Sequence, residues 1–215
     1  MLSRLLRYLF FALIVRPVVM VLLGLNVRNR QRLPEAGPAI IVANHNSHLD
    51  TMVLMTLMPM RMLHKIHPVA AADYFLRNPL LAWFALSIIG IIPLQRSVKG
   101  SHGDPLAEAS AALERGEILI LFPEGSRGEP EQMSRLKSGV AHLAKRYPEV
   151  PVIPVYLHGL GKALPKGEAL LVPFFCDVFI GESLFWEGDR QQHMQALSSH
   201  FELLANECPH SDAWK

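Results

Sequence analysis

Short apolar runs alternate along the chain with longer segments in which apolar and polar residues mix. The apolar, β-branched runs predict strands over residues 38–43, 88–94, 117–122, 152–157 and 170–180. The mixed segments predict helices over residues 48–58, 74–86, 105–115, 135–146 and 189–206. Strands that alternate with helices form sheets covered by helices. We therefore predict an α/β fold, a single domain with a central, mostly parallel or mixed sheet flanked by helices.

The first 25 residues, MLSRLLRYLFFALIVRPVVMVLLGL, are almost continuously apolar and differ from the rest of the chain. Arg16 and Pro17 divide this run into arms of about eight residues, whereas about 20 apolar residues are needed to cross a bilayer. No small-x-small cleavage site of a signal peptide follows. We therefore predict a membrane-anchoring helical segment over residues 1–29, bent at Pro17 and lying in one leaflet, followed by one domain over residues 30–215. A buried helical hairpin packed on the domain is the alternative.

Composition supports a folded domain that touches a membrane. Hydrophobic residues make up 50% of the chain and charged residues 19%, below the roughly 25% that is usual in soluble proteins. The net charge is +2 and no basic tract is present, so nucleic acid is not an expected partner. Cys176 and Cys208 have no framework spacing and are expected to be reduced thiols, with Cys176 a small core residue.

The stretch NHNSHLD, residues 44–50, places two histidines, a serine and an aspartate directly after a predicted strand. Ser47 and Asp50 have the spacing of a capping box, which makes helix capping the simplest role of Asp50. A second interpretation makes His45 a general base and Asp50 the group that orients it. Both interpretations hold together if His45 precedes the helix and Asp50 lies in its first turn.

The stretch FPEGSRG, residues 122–128, follows another predicted strand and contains Glu124, Gly125, Ser126 and Arg127. Glycines allow backbone amides to approach a phosphate, and a guanidinium binds phosphate oxygens bidentately. The alternative is a polar loop with an ion pair between Glu124 and Arg127. The stretch is not a nucleotide P-loop, because GxxxxGK[ST] is absent, and the chain has no GxSxG motif of a serine hydrolase.

Two further basic residues are candidate anion ligands. Arg96 follows the apolar run GIIPLQ, and Lys137 follows Ser134, a possible N-cap of the helix predicted over residues 135–146. A metal site is a competing hypothesis for the histidines. His45, His48 and Asp50 could ligate a metal, as could the pair His64 and His67, although neither group has the HExxH spacing of helical zinc sites.

The order of these motifs resembles that of the glycerolipid acyltransferases, which include the bacterial 1-acyl-sn-glycerol-3-phosphate acyltransferases. The resemblance rests on Asn44-His45-x4-Asp50, Arg96 after an apolar strand, Phe122 to Arg127, and VPVIPVYLHG at residues 150–159. It covers residues 30 to about 183. Two segments depart from the family pattern: Ser126-Arg127-Gly128 replaces the commoner Thr-Arg-Ser, and HPVAAADYFLRNPLL differs from the usual Lys-x-Glu-Leu region.

The resemblance implies an O-acyl transfer without a covalent acyl-enzyme. His45 would deprotonate the acceptor hydroxyl, and Asp50 would orient and stabilise the imidazolium. The acceptor's phosphate would be held by Arg96, Glu124, Gly125, Ser126 and Arg127. Pro154, in the fourth block, would help to shape the acyl-binding wall. No metal and no cofactor are expected beyond the acyl donor, which is either acyl-CoA or acyl carrier protein.

The expected acceptor is a membrane lysophospholipid, 1-acyl-sn-glycerol 3-phosphate, at the cytosolic face of the inner cell membrane. Glycerol 3-phosphate or a lyso-ornithine lipid are alternative acceptors for the same chemistry. Two other classes of function stay open on the residues alone. One is a metal-dependent hydrolase built on His45, His48 and Asp50, and the other is a non-catalytic lipid-binding or membrane scaffold protein.

Overall fold

A computed structural model of the chain describes residues 2–75, 78–94, 104–126, 133–164 and 172–208. Its centre is a seven-stranded sheet in the order β1-β7-β6-β2-β5-β3-β4. The strands are β1 (Leu23–Arg28), β2 (Ala39–Ala43), β3 (Ile66–Ala71), β4 (Ile92–Leu94), β5 (Ile118–Leu121), β6 (Val152–His158) and β7 (Phe174–Ile180). Neighbouring strands are parallel except β6 and β7, which are antiparallel. The predicted α/β class with a mixed sheet is confirmed.

Helices cover both faces of this sheet. They are α1 (Leu2–Phe10), α2 (Arg16–Leu22), α3 (Leu49–Leu57), α4 (Ala72–Phe75), α5 (Pro79–Trp83), α6 (Ala107–Glu114), α7 (Gly139–Arg146), α8 (Leu160–Ala163) and α9 (Arg190–Asn206). Strand β2 is buried at every position, as expected of a central parallel strand covered on both sides. Ile41 packs in the core with α3, whereas Ile40 packs in the core with α6, α7 and α9.

The first helix runs from Leu2 to Leu22 and does not end at Pro17. A π-helical segment, Phe11–Val15, joins α1 to α2, and the Arg16 N–H donates to the Phe11 carbonyl. A widened turn before a proline relieves the clash that the ring would otherwise make inside a regular α-helix. The predicted division into two separate arms at Pro17 is therefore wrong. We call Leu2–Leu22 the N-terminal helix.

The N-terminal helix is packed on the domain along one side. Phe11, Val15 and Val19, spaced four residues apart, are at most 6% exposed. Residues at that spacing share one face of a helix, so this face belongs to the core. The helical segment predicted over residues 1–29 ends at Leu22, because residues 23–28 form β1 and pair with β7.

Residues 88 and 89 are helical, in contrast to the predicted strand over 88–94. They belong to a π-helical segment, Phe84–Ile89, that continues α5. Gly90, at φ +73°, ends the helix in the left-handed region, and only Ile92–Leu94 forms strand β4. We call Pro79–Ile89 the second apolar helix. An apolar run of this length does not distinguish a buried helix from a strand.

Most other elements follow the sequence expectations, but the short helix α8 (Leu160–Ala163) was not predicted, and β3 and α7 also differ. Strand β3 was not predicted, because Pro68 lies inside it and a proline normally argues against a strand interior. Helix α7 begins at Gly139, four positions later than expected, so Ser134 is not its N-cap. Cys176 and Cys208 are free and buried, as predicted for Cys176.

Candidate active site

Three neighbouring parallel strands, β6, β2 and β5, end at the same edge of the sheet. Asn44 follows β2, Phe122 follows β5 and Gly159 follows β6. Ligand sites of such sheets lie outside the carboxyl ends of the strands. The stretches NHNSHLD and FPEGS, which are far apart in the chain, therefore meet at one place.

Two asparagines fix the turn after β2 to the end of β6. The Asn44 side chain donates to the Leu157 carbonyl at 2.8 Å and accepts the Leu157 N–H at 2.7 Å. The Asn46 side chain donates to the same carbonyl at 2.9 Å. Both asparagines are buried, and these bonds satisfy the Leu157 backbone groups, which lie beyond the last β2–β6 pair, Ala43 with Val155. The backbone on both sides of His45 is therefore held to the sheet.

His45 and Asp50 are in hydrogen-bond contact. His45 Nδ1 lies 2.9 Å from Asp50 Oδ2, with His45 in the turn and Asp50 in the first turn of α3. The convergence predicted from the spacing is confirmed. An ionised carboxylate only accepts hydrogen bonds, so it places the proton on Nδ1 and leaves the lone pair on Nε2. The nitrogen available for proton transfer is then Nε2.

Asp50 also binds the backbone of the turn. Its Oδ2 accepts the N–H groups of Asn46 at 2.6 Å and Ser47 at 2.8 Å, and Ser47 Oγ accepts the Leu49 N–H at 3.3 Å. Asp50 therefore binds backbone N–H groups just before α3 as well as His45, although the residue at the N-cap position is His48 and not Ser47. Burial of the Asp50 carboxyl raises its pKa, and the hydrogen bonds from His45, Ser47 and Asn46 oppose that shift.

The imidazole of His45 is held between Asp50 and an aromatic ring. It stacks on Phe122, with the ring centroids 4.1 Å apart and the planes inclined by 21°. The His45 side chain is 18% exposed, whereas that of Asp50 is fully buried. A fixed and partly accessible imidazole paired with a buried carboxylate has the geometry of a general base and its orienting group.

Glu124 is directed toward the protein. Its Oε1 accepts the His45 backbone N–H at 2.7 Å, and its Oε2 accepts the N–H and the hydroxyl of Ser134 at 2.9 and 2.8 Å. The side chain is buried. An ionised carboxylate donates no hydrogen bond and repels a phosphate, and the Glu124 oxygens accept protein donors instead. This geometry fits a structural role at the His45 turn better than the predicted phosphate contact. The predicted loop ion pair between Glu124 and Arg127 involves a residue outside the described part.

Gly125 and Ser126 form the exposed tip of the turn after Glu124. Gly125 has φ +74°, and a Cβ there would collide with the Lys137 ammonium group. The Lys137 N–H also donates to the Pro123 carbonyl at 2.8 Å. Lys137, in the loop before α7, thus places a cation beside the glycine turn. The sequence named Lys137 as a candidate anion ligand at a helix N-terminus, whereas the structure places it in the loop before α7.

Two residues expected at the phosphate, Arg96 and Arg127, lie outside the described residues.

Pro154 lies inside β6, buried, and a Cβ on Gly181 would meet its ring. Its neighbours Val152 and Tyr156 pack with α9, and alternate strand residues share a face. Pro154 therefore points toward α9, whereas Phe122 packs on the opposite core, and its role in an acyl-binding wall stays a prediction.

The metal hypothesis receives no support from the described residues. Within the five described ranges, no group of three His, Cys, Asp or Glu side chains is placed to hold a metal ion. His67 Nδ1 is instead 2.8 Å from the Gly90 carbonyl, and His64 is exposed.

Two of the site's contacts escaped the sequence analysis. The Phe122 ring stacks on His45, and Ser134 donates to Glu124. Neither residue type indicates such a role by itself. Their positions offered one clue, because Phe122 directly precedes the Pro-Glu-Gly turn.

Comparison with known proteins gives consistent findings. Residues 24–158 match the model of the family described as Acyltransferase. The chloroplastic 1-acyl-sn-glycerol-3-phosphate acyltransferase LPAT1 of Arabidopsis thaliana is 31% identical over 144 residues, which are 66% of this chain and 38% of that protein. The 1-acyl-sn-glycerol-3-phosphate acyltransferase alpha of Homo sapiens is 26% identical over 173 residues, 80% of this chain and 59% of that protein. The chain thus spans about two fifths to three fifths of these relatives.

A solved structure shares the fold. The crystal structure of the 1-acyl-sn-glycerophosphate acyltransferase of Thermotoga maritima superposes with a TM-score of 0.66 and 22% sequence identity. The match covers 92% of this chain and 78% of the other chain.

Proposed function

Because this chain belongs to the acyltransferase family, whose model matches residues 24–158, we propose that it transfers a fatty acyl group from a thioester to a lysophospholipid hydroxyl. The acceptor we propose is 1-acyl-sn-glycerol 3-phosphate, and the product is phosphatidic acid. The curated relatives described above carry that acceptor in their names. The observation that carries the proposal is the His45–Asp50 pair at 2.9 Å, which leaves Nε2 of His45 for the chemistry.

In the proposed reaction Nε2 of His45 takes the proton of the acceptor hydroxyl as its oxygen attacks the thioester carbonyl. The new C–O bond forms, the C–S bond breaks, and the imidazolium returns its proton to the leaving thiolate. A positioned base contributes about 10²–10⁴-fold to such a rate. Asp50 holds the Nδ1 proton and lowers the energy of the imidazolium that forms. No cofactor enters beyond the donor, either acyl-CoA or acyl carrier protein.

The acceptor's phosphate is proposed to bind at the tip of the turn after β5. Gly125 exposes the backbone there, Ser126 supplies a hydroxyl, and the Lys137 ammonium group lies beside Gly125. Arg96 and Arg127 remain proposed ligands of the same phosphate. Glycine turns and cations together suit a phosphate monoester.

Membrane attachment through the N-terminal helix is part of the proposal, with the catalytic edge on the cytosolic face of the inner membrane. Among the described residues, Leu2–Leu22 is the one helix long and apolar enough to cross a membrane. Its outer residues are exposed: Leu5, Leu9 and Leu13 are 55%, 41% and 69% accessible. A surface of this kind would hold the His45 site at the bilayer, where the lysophospholipid acceptor resides.

The test is an acceptor panel. Purified protein in phospholipid vesicles is incubated with radiolabelled acyl-CoA or acyl carrier protein and with 1-acylglycerol 3-phosphate, glycerol 3-phosphate or lyso-ornithine lipid. We expect labelled phosphatidic acid by thin-layer chromatography and its loss in His45→Ala. The control His142→Ala, which replaces an exposed histidine on α7, should form as much product as the unaltered protein. Absence of labelled product with every acceptor, or undiminished product in His45→Ala, would refute the proposal.

A further inference from the structure

A pocket lies away from the His45 site, where the beginning of the N-terminal helix meets the segment before β3. Its volume is about 240 Å³. The lining residues are Arg4, Arg7, Tyr8, Met60, Arg61, Leu63 and His64. This segment leads into the amino end of β3, which pairs in parallel with β5, so the pocket lies at the edge of the sheet opposite to His45.

The pocket is strongly basic. Three arginines and a histidine line it, and no aspartate or glutamate does so within the part of the chain that the structure describes. The carboxylate that acts on Arg7 from nearby is Glu117. Both carboxylate oxygens of Glu117 already accept hydrogen bonds from the Arg115 guanidinium, at 3.0 and 2.8 Å. His67 Nε2 lies 3.4 Å from Glu117 Oε2. The positive charge of the pocket is therefore not balanced by an acid of its own.

Arg7 has hydrogen-bonding capacity to spare. The residue is 6% exposed, and its Nη2 donates to the Ile66 carbonyl at 2.6 Å. Its Nε is buried and has no partner among the described residues. A buried guanidinium is costly unless its N–H groups are bound and its charge is met by an anion. Arg7 thus supplies a buried, incompletely satisfied cation to the pocket wall.

We propose that this pocket binds a phosphate group. Guanidinium forks match phosphate oxygens in geometry and charge, and several arginines around one cavity are typical of phosphate recognition. The volume suits a headgroup better than a whole lipid. The phosphate comes from a lipid headgroup or from solution, since Leu5 and Leu9, exposed on the same helix, put the pocket beside an apolar surface.

The experiment observes the Arg7 Nε–H group itself. Full-length protein carrying nitrogen-15 arginine is placed in maltoside detergent micelles, which contain no phosphate, and the Arg7 signal is assigned by its loss in Arg7→Lys. Inorganic phosphate is then titrated. We expect a saturable shift of the Arg7 signal, with the apparent Kd raised about tenfold or more in Arg61→Ala, which removes one fork. Arg190→Ala, an exposed arginine at the start of α9 on the other face of the sheet, should titrate as the unaltered protein does.

A second arm separates the two sources of phosphate. Nanodiscs containing phosphatidylglycerol, without added phosphate, should produce the same Arg7 shift if a lipid headgroup enters the pocket. A shift with inorganic phosphate but not with phosphatidylglycerol assigns the site to a soluble phosphate. If the Arg7 signal shifts in neither arm, or if Arg61→Ala and Arg190→Ala have the same apparent Kd for phosphate, the pocket is not a phosphate site.

Discussion

His45 owes its position to contacts from three parts of the fold. Asp50 of α3 binds Nδ1, Phe122 at the end of β5 stacks on the ring, and Glu124 accepts the backbone N–H. A side chain that is held on its ring and on its backbone needs little reorganisation to act as the proposed base. The residues that hold His45 are therefore as open to mutational test as His45 itself.

Asp50→Asn should lower kcat by roughly 10³-fold, because an amide cannot stabilise the imidazolium and permits the wrong tautomer. It should also lower the free energy of unfolding by about 1 kcal/mol through the weakened contacts to the Asn46 and Ser47 N–H groups. Initial rates and urea unfolding measure the two effects. Asp189→Asn at the N-cap of α9 is the matched control. A similar loss of kcat in this variant would show that Asp50 has no special role in catalysis.

Glu124→Gln should act on the position of His45. The amide nitrogen of glutamine has to face either the His45 N–H or the Ser134 donors, so one buried donor loses its acceptor at a cost of about 1–3 kcal/mol. We expect a lower urea midpoint and a lower kcat, with the KM for the thioester little changed. Glu149→Gln, an exposed glutamate, is the control. A variant with unchanged stability and a raised KM for the lysolipid alone would show that Glu124 contacts the acceptor.

Lys137→Ala should weaken binding of the acceptor's phosphate. Its ammonium group lies beside Gly125, and loss of a charge-assisted hydrogen bond costs about 1.5–3 kcal/mol, so the KM for the phosphate-bearing lysolipid should rise by roughly tenfold or more. Arg127→Ala and Arg96→Ala are expected to act in the same direction. Steady-state kinetics with each substrate varied in turn provide the measurement, with Lys145→Ala on α7 as control. Equal changes in the KM for the thioester and the lysolipid would indicate a structural role instead.

The secondary-structure elements were predictable where the spacing of apolar residues in the sequence matches the residues that are buried. Strand β2 and helix α9 satisfy their patterns from end to end. The failures occurred where tertiary packing decides the outcome. Ile88 and Ile89 belong to a helix because Gly90 ends it in the left-handed region and both side chains pack in the core. Pro17 stays within a helix because the π-helical turn before it accommodates the ring.

Contacts between elements explain the limits of the site prediction. His45 and Asp50 are five residues apart, so their approach follows from one turn and the start of one helix. The bond between His45 and Glu124 joins residues 79 positions apart, and it depends on β2 and β5 being neighbours. Composition and spacing contain no information on strand order, which is why the inward direction of Glu124 could not be predicted.

Helix α9 carries a histidine that should make stability depend on pH. Burial lowers the pKa of His193, against the opposing contributions of the Phe185 carbonyl and Glu187, and Trp186 packs 5.6 Å from its ring. The unfolded chain therefore binds a proton more readily than the folded one. The contribution of His193 to stability is complete above the unfolded pKa of about 6.5 and is lost as the pH falls below it.

The measurement is urea unfolding at pH 7.5 and pH 5, an interval that includes this transition. From pH 7.5 to pH 5, the free energy of unfolding should fall more in the unaltered protein than in His193→Leu. Some dependence should remain in the variant, because the pKa of His67 is also lowered by burial. Parallel losses in both proteins would assign the pH dependence to other groups.

At the scale of the whole molecule, two apolar helices lie together on one face of the domain. Phe10 of the N-terminal helix contacts Phe84 of the second apolar helix, with ring centroids 5.3 Å apart. The opposite sides of these helices expose Leu9, Leu13 and Trp83 at 41%, 69% and 53%. An exposed apolar surface of this kind marks a site of interaction with a membrane or a protein.

The same packing bears on whether the N-terminal helix spans a bilayer. A spanning helix would have to leave the domain and withdraw Phe11, Val15 and Val19 from the core, where they are at most 6% exposed. Removing three large apolar side chains from a core costs several kcal/mol. We therefore propose that the helix lies in the plane of the interface with its outer face in one leaflet.

Replacing outer-face residues tests this arrangement without disturbing the core. Leu13→Glu combined with Trp83→Glu should abolish co-sedimentation with phosphatidylcholine vesicles while leaving the urea midpoint unchanged, because both side chains are exposed and a carboxylate is poorly accommodated among acyl chains. The matched control is Leu203→Glu, a leucine 61% exposed on α9 at the other face, which should sediment with vesicles as the unaltered protein does. Activity should fall with lysolipid in vesicles and persist with lysolipid dispersed in detergent, since the His45 site is untouched. Undiminished vesicle binding by the double variant, or equal losses in Leu203→Glu, would mean that this face does not contact the membrane.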